Sequence, residues 1–129
     1  MKKKYLIVVA DYYKDIANGL LKSALRVIPK SDSIKTIKVP GVFEIPVTIS
    51  KNIKRFDGFL ALGCVVKGET PHFHFISQAS TNAIMDLSIN NNKPIGNGIL
   101  TCLNIKQANA RKNKGAEAAE AVFSVLSQK

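Results

Sequence analysis

The hydrophobic residues of this chain fall into four short runs separated by longer amphipathic segments. Residues 5–10 and 59–66 are almost continuously apolar, and residues 95–100 form a shorter apolar run that contains glycine. Continuous apolar runs are typical of strands in a parallel sheet that is covered on both faces. Residues 33–39 alternate between apolar and polar, which predicts a strand at the edge of the same sheet.

Between these runs, apolar residues recur at helical spacing. They predict helices over residues 16–27, 76–87 and 119–126, and the first of these ends before Pro29. Residues 42–53 also have helical spacing, with Pro46 compatible with a helix only in its first turn. Strands that alternate with helices predict a single α/β domain over residues 1–129, with a four-stranded parallel sheet flanked by helices.

The charge balance is strongly basic, with 19 Lys and Arg against 9 Asp and Glu, for a net charge of +10. The lysines are spread along the chain and form no aromatic-lined stripe, so we expect no nucleic-acid partner. No apolar run approaches the ~20 residues that span a bilayer, and we expect no membrane partner. The N-terminal run resembles a signal peptide, but Asp11 ends it without a small-residue cleavage site, which predicts a cytoplasmic protein.

The carboxyl ends of the predicted strands are where an open α/β sheet binds its ligands. After residues 59–66 the chain continues with Lys67, Gly68, Glu69, Thr70, Pro71 and His72. Thr70 is a suitable N-cap and Pro71 a suitable first helical residue, and the N–H groups of a helix start attract anions. His72 would then transfer protons beside a bound ligand. An ordinary capped turn with an incidental histidine explains the same residues equally well.

The other strand ends offer aromatic and charged side chains, each with a structural alternative. Tyr12 and Tyr13 could stack on a heterocycle or simply cover the sheet edge, and Phe43 could contact a ligand or pack in the core. Glu44 could accept hydrogen bonds from a ligand or stabilise a helix start. Arg111 and Lys114, placed before the last helix, could bind phosphate or belong to a solvated basic stretch.

A metal site is not expected from this sequence. His72 and His74 are two residues apart, and side chains at that spacing on a helix do not face each other. Cys64 and Cys102 lie inside apolar segments, which predicts buried free thiols rather than metal ligands or a disulfide.

Four motifs, in this order and spacing, resemble the 6,7-dimethyl-8-ribityllumazine synthase family over nearly the whole chain. They are FEIP at residues 43–46, ALGCVVKGETPHF at 61–73, GNGILT at 96–101 and KGAEAA at 114–119. The resemblance implies a flavodoxin-like three-layer αβα sandwich. It also implies the condensation of 5-amino-6-(ribitylamino)uracil with 3,4-dihydroxy-2-butanone 4-phosphate, the penultimate step of riboflavin biosynthesis, without a cofactor. The expected assembly is a homo-oligomer, a pentamer or a multiple of pentamers, with active sites between neighbouring subunits.

The resemblance also implies roles for individual residues. His72 falls on the family's proton-transfer histidine, Tyr12 on the aromatic that stacks on the pyrimidine, and Arg111 on the phosphate-binding arginine of the adjacent subunit. The remaining substrate-binding positions that we expect are Val42, Phe43, Glu44, Val65, Val66, Lys67, Gly68, Glu69, Thr70, Asn97 and Lys114.

The chain departs from the family pattern at three places. Asp11 stands where many members have arginine, and Tyr13 follows Tyr12, so that either tyrosine could be the stacking residue. Asn97 stands where many members have phenylalanine, and residues 111–114 form a shorter segment than in many members. A non-catalytic protein that binds flavin or lumazine on the same scaffold is the alternative function.

Overall fold

A computed structural model describes residues 2–128 of the chain. Its elements are β1 (Lys4–Ala10), α1 (Lys14–Val27), β2 (Ser33–Val39), a single 3-10 turn (Val42–Glu44), α2 (Ile45–Lys51), β3 (Gly58–Val66), α3 (His72–Asn91), β4 (Ile95–Cys102), α4 (Ile105–Asn109) and α5 (Lys114–Leu126).

The four strands form one parallel sheet in the order β2-β1-β3-β4. Successive side chains of β1 enter two separate cores. Tyr5, Ile7 and Val9 pack with α1 and α5 on one face, whereas Leu6 and Val8 pack with α2 and α3 on the other. Helices on both faces explain why β1 is apolar from Tyr5 to Ala10, because neither face of the strand meets water over these residues. The predicted three-layer α/β fold is therefore confirmed.

The predicted elements agree with the structure except at several boundaries. β2 pairs only with β1 and is the expected edge strand, and β4 extends two residues beyond the predicted end at residue 100. Residues 42–53 divide into the 3-10 turn and α2, with Pro46 in the first turn of the helix. Lys114 is the first residue of α5 rather than a residue before the last helix.

The short helix α4 was not predicted. Its N-cap is Asn104, whose side-chain oxygen accepts a hydrogen bond from the Gln107 amide at 2.9 Å. The Gln107 side chain reaches back to the Leu103 amide at 2.8 Å. An N-cap residue followed three positions later by glutamine is a known helix-start pattern, so the sequence did contain a signal for α4.

Helix α5 lies directly on β4 because Gly96 has no side chain. A Cβ atom at Gly96 would stand 2.2 Å from the carbonyl oxygen of Ala118, closer than any such contact allows. This packing holds the second turn of α5 against the amino-terminal part of β4. Within residues 2–128, no helix is both long and apolar enough to cross a membrane.

Candidate active site

A groove of about 320 Å³ lies at the carboxyl ends of β1 and β3. The chain runs from β1 outward to β2 and then returns to place β3 on the other side of β1, so the strand order reverses between these two strands. Such a switch point is where open α/β sheets bind their ligands. The residues that line the groove are Tyr12, Tyr13, Gly41, Val42, Phe43, Cys64, Val65, Val66, His72 and Ile76.

Aromatic rings form part of the wall of this first groove. The side chains of Tyr12 and Phe43 are 75% and 64% exposed, although both are large and largely apolar. Tyr12 packs edge-to-face on Tyr13, with ring centroids 5.0 Å apart, and burial raises the pKa of Tyr13. Exposed rings beside a groove provide faces on which a planar heterocycle can stack.

His72 enters the groove from the first turn of α3. The N-cap of this helix is Pro71, not Thr70 as predicted, and no side chain caps it. Thr70 still contributes to the helix start, because its hydroxyl accepts a long hydrogen bond of 3.4 Å from the His72 amide. An imidazole can both accept and donate a proton, so His72 is the candidate acid–base group of the first groove.

The loop between β3 and α3 is open to solvent. Lys67, Gly68, Glu69 and Thr70 are all exposed, and a Cβ atom at Gly68 would meet nothing within 4 Å. The loop is tied at its start, where the Lys67 amide donates to the carbonyl of Cys102 at 2.9 Å. This arrangement leaves room for a ligand anion above the start of α3.

Cys64 lines the same groove but is not suited to act as a nucleophile. The residue is almost fully buried, and that burial, with a smaller contribution from Cys102, raises the pKa of the Cys64 thiol to about 12. A thiol attacks as its thiolate, which is scarce several pH units below the pKa. Cys64 therefore contributes an apolar surface, as predicted for a buried free cysteine.

A second groove, of about 610 Å³, follows the free edge of β4. Its lining includes Asn97, Thr101, Cys102, Arg111, Lys114 and Glu117, and it shares no residue with the first groove. This separation means that the aromatic wall and the cationic side chains lie in different grooves of one chain.

The two cations of the second groove are accessible. One guanidinium nitrogen of Arg111 lies 3.8 Å from the sulfur of Cys102, and Arg111 itself is exposed. Lys114 forms an ion pair with Glu117 at 3.7 Å, but both side chains are substantially exposed. Ion pairs of this kind are weak, so an incoming phosphate could compete for Lys114.

Asn97 lies with these cations and not with His72. Its side-chain oxygen accepts a hydrogen bond from the Ile99 amide at 3.0 Å, which holds the carboxamide against its own strand. Gly96 and Gly98 are buried on either side, whereas Asn97 is exposed. The GNG motif thus places one polar group at the free edge of β4.

The structure divides the predicted site residues into three groups. Tyr12, Val42, Phe43, Val65, Val66 and His72 line the first groove, and Asn97, Arg111 and Lys114 line the second. Glu44, Lys67, Gly68, Glu69 and Thr70 line neither groove.

Glu44 is one of the predicted site residues that line neither groove. It is half-buried, and its carboxylate lies near Gly41, where a Cβ atom would stand 3.2 Å from one carboxylate oxygen. Because Gly41 itself lines the groove, the carboxylate of Glu44 lies close to the groove without forming its wall.

Gly41, Cys64 and Ile76 line the first groove although sequence reasoning did not assign them to it. Ile76 follows His72 by one helical turn, so its position on the same face of α3 was readable from the sequence. For Cys64 the sequence contained no such indication. A buried position in a strand does not show whether its side chain borders a groove at the end of the strand.

Within residues 2–128, no three His, Cys, Asp or Glu side chains come together in a way that could hold a metal ion. His74 contacts the ring of Phe73 edge-to-face at 5.1 Å, and it does not line either groove.

The strand order 2-1-3-4, the helices on both faces and the groove at the switch point define a flavodoxin-like α/β domain built to bind a small molecule. The sequence model of the 6,7-dimethyl-8-ribityllumazine synthase family matches residues 2–129. This chain therefore belongs to the 6,7-dimethyl-8-ribityllumazine synthase family.

Individual relatives agree with this assignment. A 6,7-dimethyl-8-ribityllumazine synthase of Bartonella tribocorum is 44% identical over 140 residues, which cover 100% of this chain and 93% of the relative. The Bartonella bacilliformis protein of the same name is 46% identical over 134 residues, covering 96% and 88%. That of Agrobacterium fabrum is 40% identical over 143 residues, covering 100% and 97%. All three are named as synthases, which does not favour the non-catalytic alternative.

Proposed function

We propose that this chain catalyses the formation of 6,7-dimethyl-8-ribityllumazine from 5-amino-6-(ribitylamino)uracil and 3,4-dihydroxy-2-butanone 4-phosphate. The observation that carries the proposal is the first groove, where exposed aromatic rings and the imidazole of His72 meet at the switch point of the sheet. Membership of the synthase family supplies the identity of the substrates.

The pyrimidine binds in the first groove, with its ring against the aromatic wall. Tyr12 is the proposed stacking residue because its ring is largely exposed, whereas Tyr13 is half-buried beneath it. Val65, Val66 and the turn around Phe43 hold the other side of the ring and the ribityl chain. Tyr12→Ala should raise the KM for the pyrimidine more than Tyr13→Phe does, and the reverse order would assign stacking to Tyr13.

The sugar phosphate binds where the first groove of one chain meets the second groove of a neighbour. In this arrangement the open loop from Lys67 to Thr70 faces the phosphate from one subunit, and Arg111 and Lys114 face it from the other. Arginine binds phosphate through paired N–H groups, and such charge-assisted hydrogen bonds are the strongest that side chains make. Asn97 of the neighbour then lies at the rim, within reach of the pyrimidine.

The chemistry consists mostly of bringing two substrates together in the right orientation. The amine of the pyrimidine attacks the ketone and loses water to form an imine, phosphate then leaves, and ring closure expels a second water. Orientation alone can supply about 7–11 kcal/mol of barrier reduction. His72 carries protons between the reacting groups, a contribution of about 10²–10⁴-fold.

A ring of identical subunits is the proposed assembly, a pentamer or a multiple of pentamers. Its support is a shallow apolar groove between α2 and α3, lined by Phe43, Pro46, Val47, Ala79, Ser80 and Ala83. Val47 and the nearby Phe75 are 59% and 66% exposed, and a concentration of exposed apolar side chains is typical of a protein interface. Five chains of 14.1 kDa would give a mass of about 70 kDa by light scattering. A monomer mass at micromolar concentration would contradict this proposal. We also propose that the assembly is located in the cytoplasm.

Activity is tested by mixing the purified protein with both substrates and following the fluorescence of the lumazine product. Omission of either substrate is the matched control for spontaneous background. Product formation above the protein-free rate supports the proposed function. Tight binding of lumazine without turnover would instead favour a non-catalytic binding protein.

A further inference from the structure

Ser23 of α1 is one of two buried serines within residues 2–128, and its hydroxyl reaches another helix. The oxygen lies 3.0 Å from the carbonyl of Lys112 and accepts a hydrogen bond from the Ala116 amide at 2.9 Å. It also lies 3.1 Å from the carbonyl of Leu20 in its own helix. A hydroxyl has one proton to donate, which the two carbonyls share, while its lone pairs remain free to accept.

Glycine at position 115 makes this contact possible. A Cβ atom there would stand 2.0 Å from the carbonyl oxygen of Leu20 and 2.5 Å from the hydroxyl of Ser23. The first turn of α5 therefore rests directly on the backbone of α1. The aliphatic part of the Lys112 side chain lies over Gly19 of α1. A Cβ atom at Gly19 would stand 2.5 Å from the Cδ of Lys112.

These contacts hold the chain directly after Arg111 and again after Lys114, the two cations of the second groove. Helix α1 contacts Lys112 on one side of Lys114 and Ala116 on the other, through the same hydroxyl. Arg111 and Lys114 instead line the groove along β4. The backbone of the segment is thus fixed on the α1 side while its cations extend on the ligand side.

We propose that Ser23 is a positioning residue for the phosphate half of the site. Its hydroxyl bridges Lys112 and Ala116 and thereby sets where Arg111 and Lys114 meet the phosphate. The proposal rests on the proposed function of these two cations. The segment is short, so a small shift of its backbone moves both charged groups together.

Ser23→Ala removes the hydroxyl and leaves the helix intact. We expect the KM for the sugar phosphate to rise by about fivefold, with kcat and the KM for the pyrimidine within twofold of the unsubstituted protein. The increase is modest because the Ala116 amide also donates to Asn113 at 3.0 Å. Ser80→Ala is the matched control, since Ser80 is equally buried but bonds only carbonyls of its own helix. Because Ser80 also lines the apolar groove between α2 and α3, light scattering must first give this variant the same oligomer mass as the unsubstituted protein.

Gly115→Ala provides a second variant, because its methyl group would push the start of α5 away from α1. It should raise the same KM further than Ser23→Ala does. A second readout, the affinity for inorganic phosphate measured by calorimetry, requires no turnover. We expect it to fall about fivefold in Ser23→Ala and not in Ser80→Ala.

The outcomes separate this inference from the proposed function. If the unsubstituted protein forms no lumazine but Ser23→Ala selectively loses affinity for phosphate, the enzymatic function is refuted and the role of Ser23 is retained. A Ser23→Ala variant that forms lumazine with unchanged KM for the sugar phosphate overturns the inference alone. Equal losses for both substrates, or in the Ser80→Ala control, would also overturn it, because they indicate a general structural effect.

Discussion

His72 and Arg111 line different grooves of one chain, so two defective variants should restore activity when they share an oligomer. His72→Ala removes the proposed proton carrier from the first groove and leaves the second intact. Arg111→Ala does the opposite. If each site joins the first groove of one subunit to the second groove of its neighbour, some interfaces of a mixed ring receive both intact halves.

The expected recovery follows from the geometry. In a random equal mixture, each interface has a one-in-two chance of an intact first groove and the same chance of an intact second groove. About a quarter of the sites are then complete, as in any head-to-tail ring with this arrangement. Alone, His72→Ala should lose about 10²–10⁴-fold in turnover. Arg111→Ala should raise the KM for the sugar phosphate by roughly 10–100-fold, without a matching loss in kcat.

The assay uses co-expression of the two variants with different affinity tags and sequential purification on both. Lumazine fluorescence is then measured at a sugar-phosphate concentration near the KM of the unsubstituted protein. His72→Ala co-purified with a differently tagged His72→Ala is the control for effects of tagging. Lys106→Ala, an exposed cation outside both grooves, should leave the KM unchanged.

Activity of the mixed oligomer equal to the average of the two variants would refute the reasoning. It would mean that both residues serve the site of the same chain, or that Arg111 does not bind substrate. An unchanged KM for the sugar phosphate in Arg111→Ala alone would support the second explanation.

Three further predictions concern stability and reactivity. Gly96→Ala should destabilise the fold by about 1–3 kcal/mol in urea unfolding, because its methyl group would collide with the carbonyl of Ala118. Gly68→Ala, the control, should have little effect. Equal losses of stability in the two variants would contradict this packing argument. Cys64, whose pKa is raised to about 12, should resist alkylation by iodoacetamide at pH 8 until the protein unfolds, and rapid labelling of the folded protein would contradict the assigned burial. Burial, aided by Asp32, raises the pKa of Tyr5 from 10.0 to about 12. The folded state therefore favours the neutral phenol. The contribution of Tyr5 to the free energy of unfolding should be complete below pH 10 and lost as the pH rises to 12. Tyr5→Phe should weaken that alkaline loss in melting experiments, and an unchanged pH profile would exclude Tyr5 as its source.

The local order of the elements was readable from the sequence because each element buries its own apolar pattern. The run over residues 59–66 is typical of a strand covered on both faces, and the spacing from Ile16 to Val27 is typical of a helix with one buried face; the structure has both. The loop after β3 was also recognisable from the sequence, because Gly68, Thr70 and His72 directly follow the end of the apolar run. The motifs at 43–46, 61–73, 96–101 and 114–119 identified the family.

The division of the site into two grooves was decided only by the tertiary structure. Residues 72 and 111 are far apart along the chain, and nothing in their local pattern states which strand edge each one meets. That depends on the strand order, which places β4 outermost, and on Gly96, which brings α5 down onto β4. The bonds of Ser23 to Lys112 and Ala116 are equally non-local, because a serine in an amphipathic helix gives no sign of its partner 89 or 93 positions away. Sequence periodicity reports which face of an element is buried, whereas packing alone decides what that face meets.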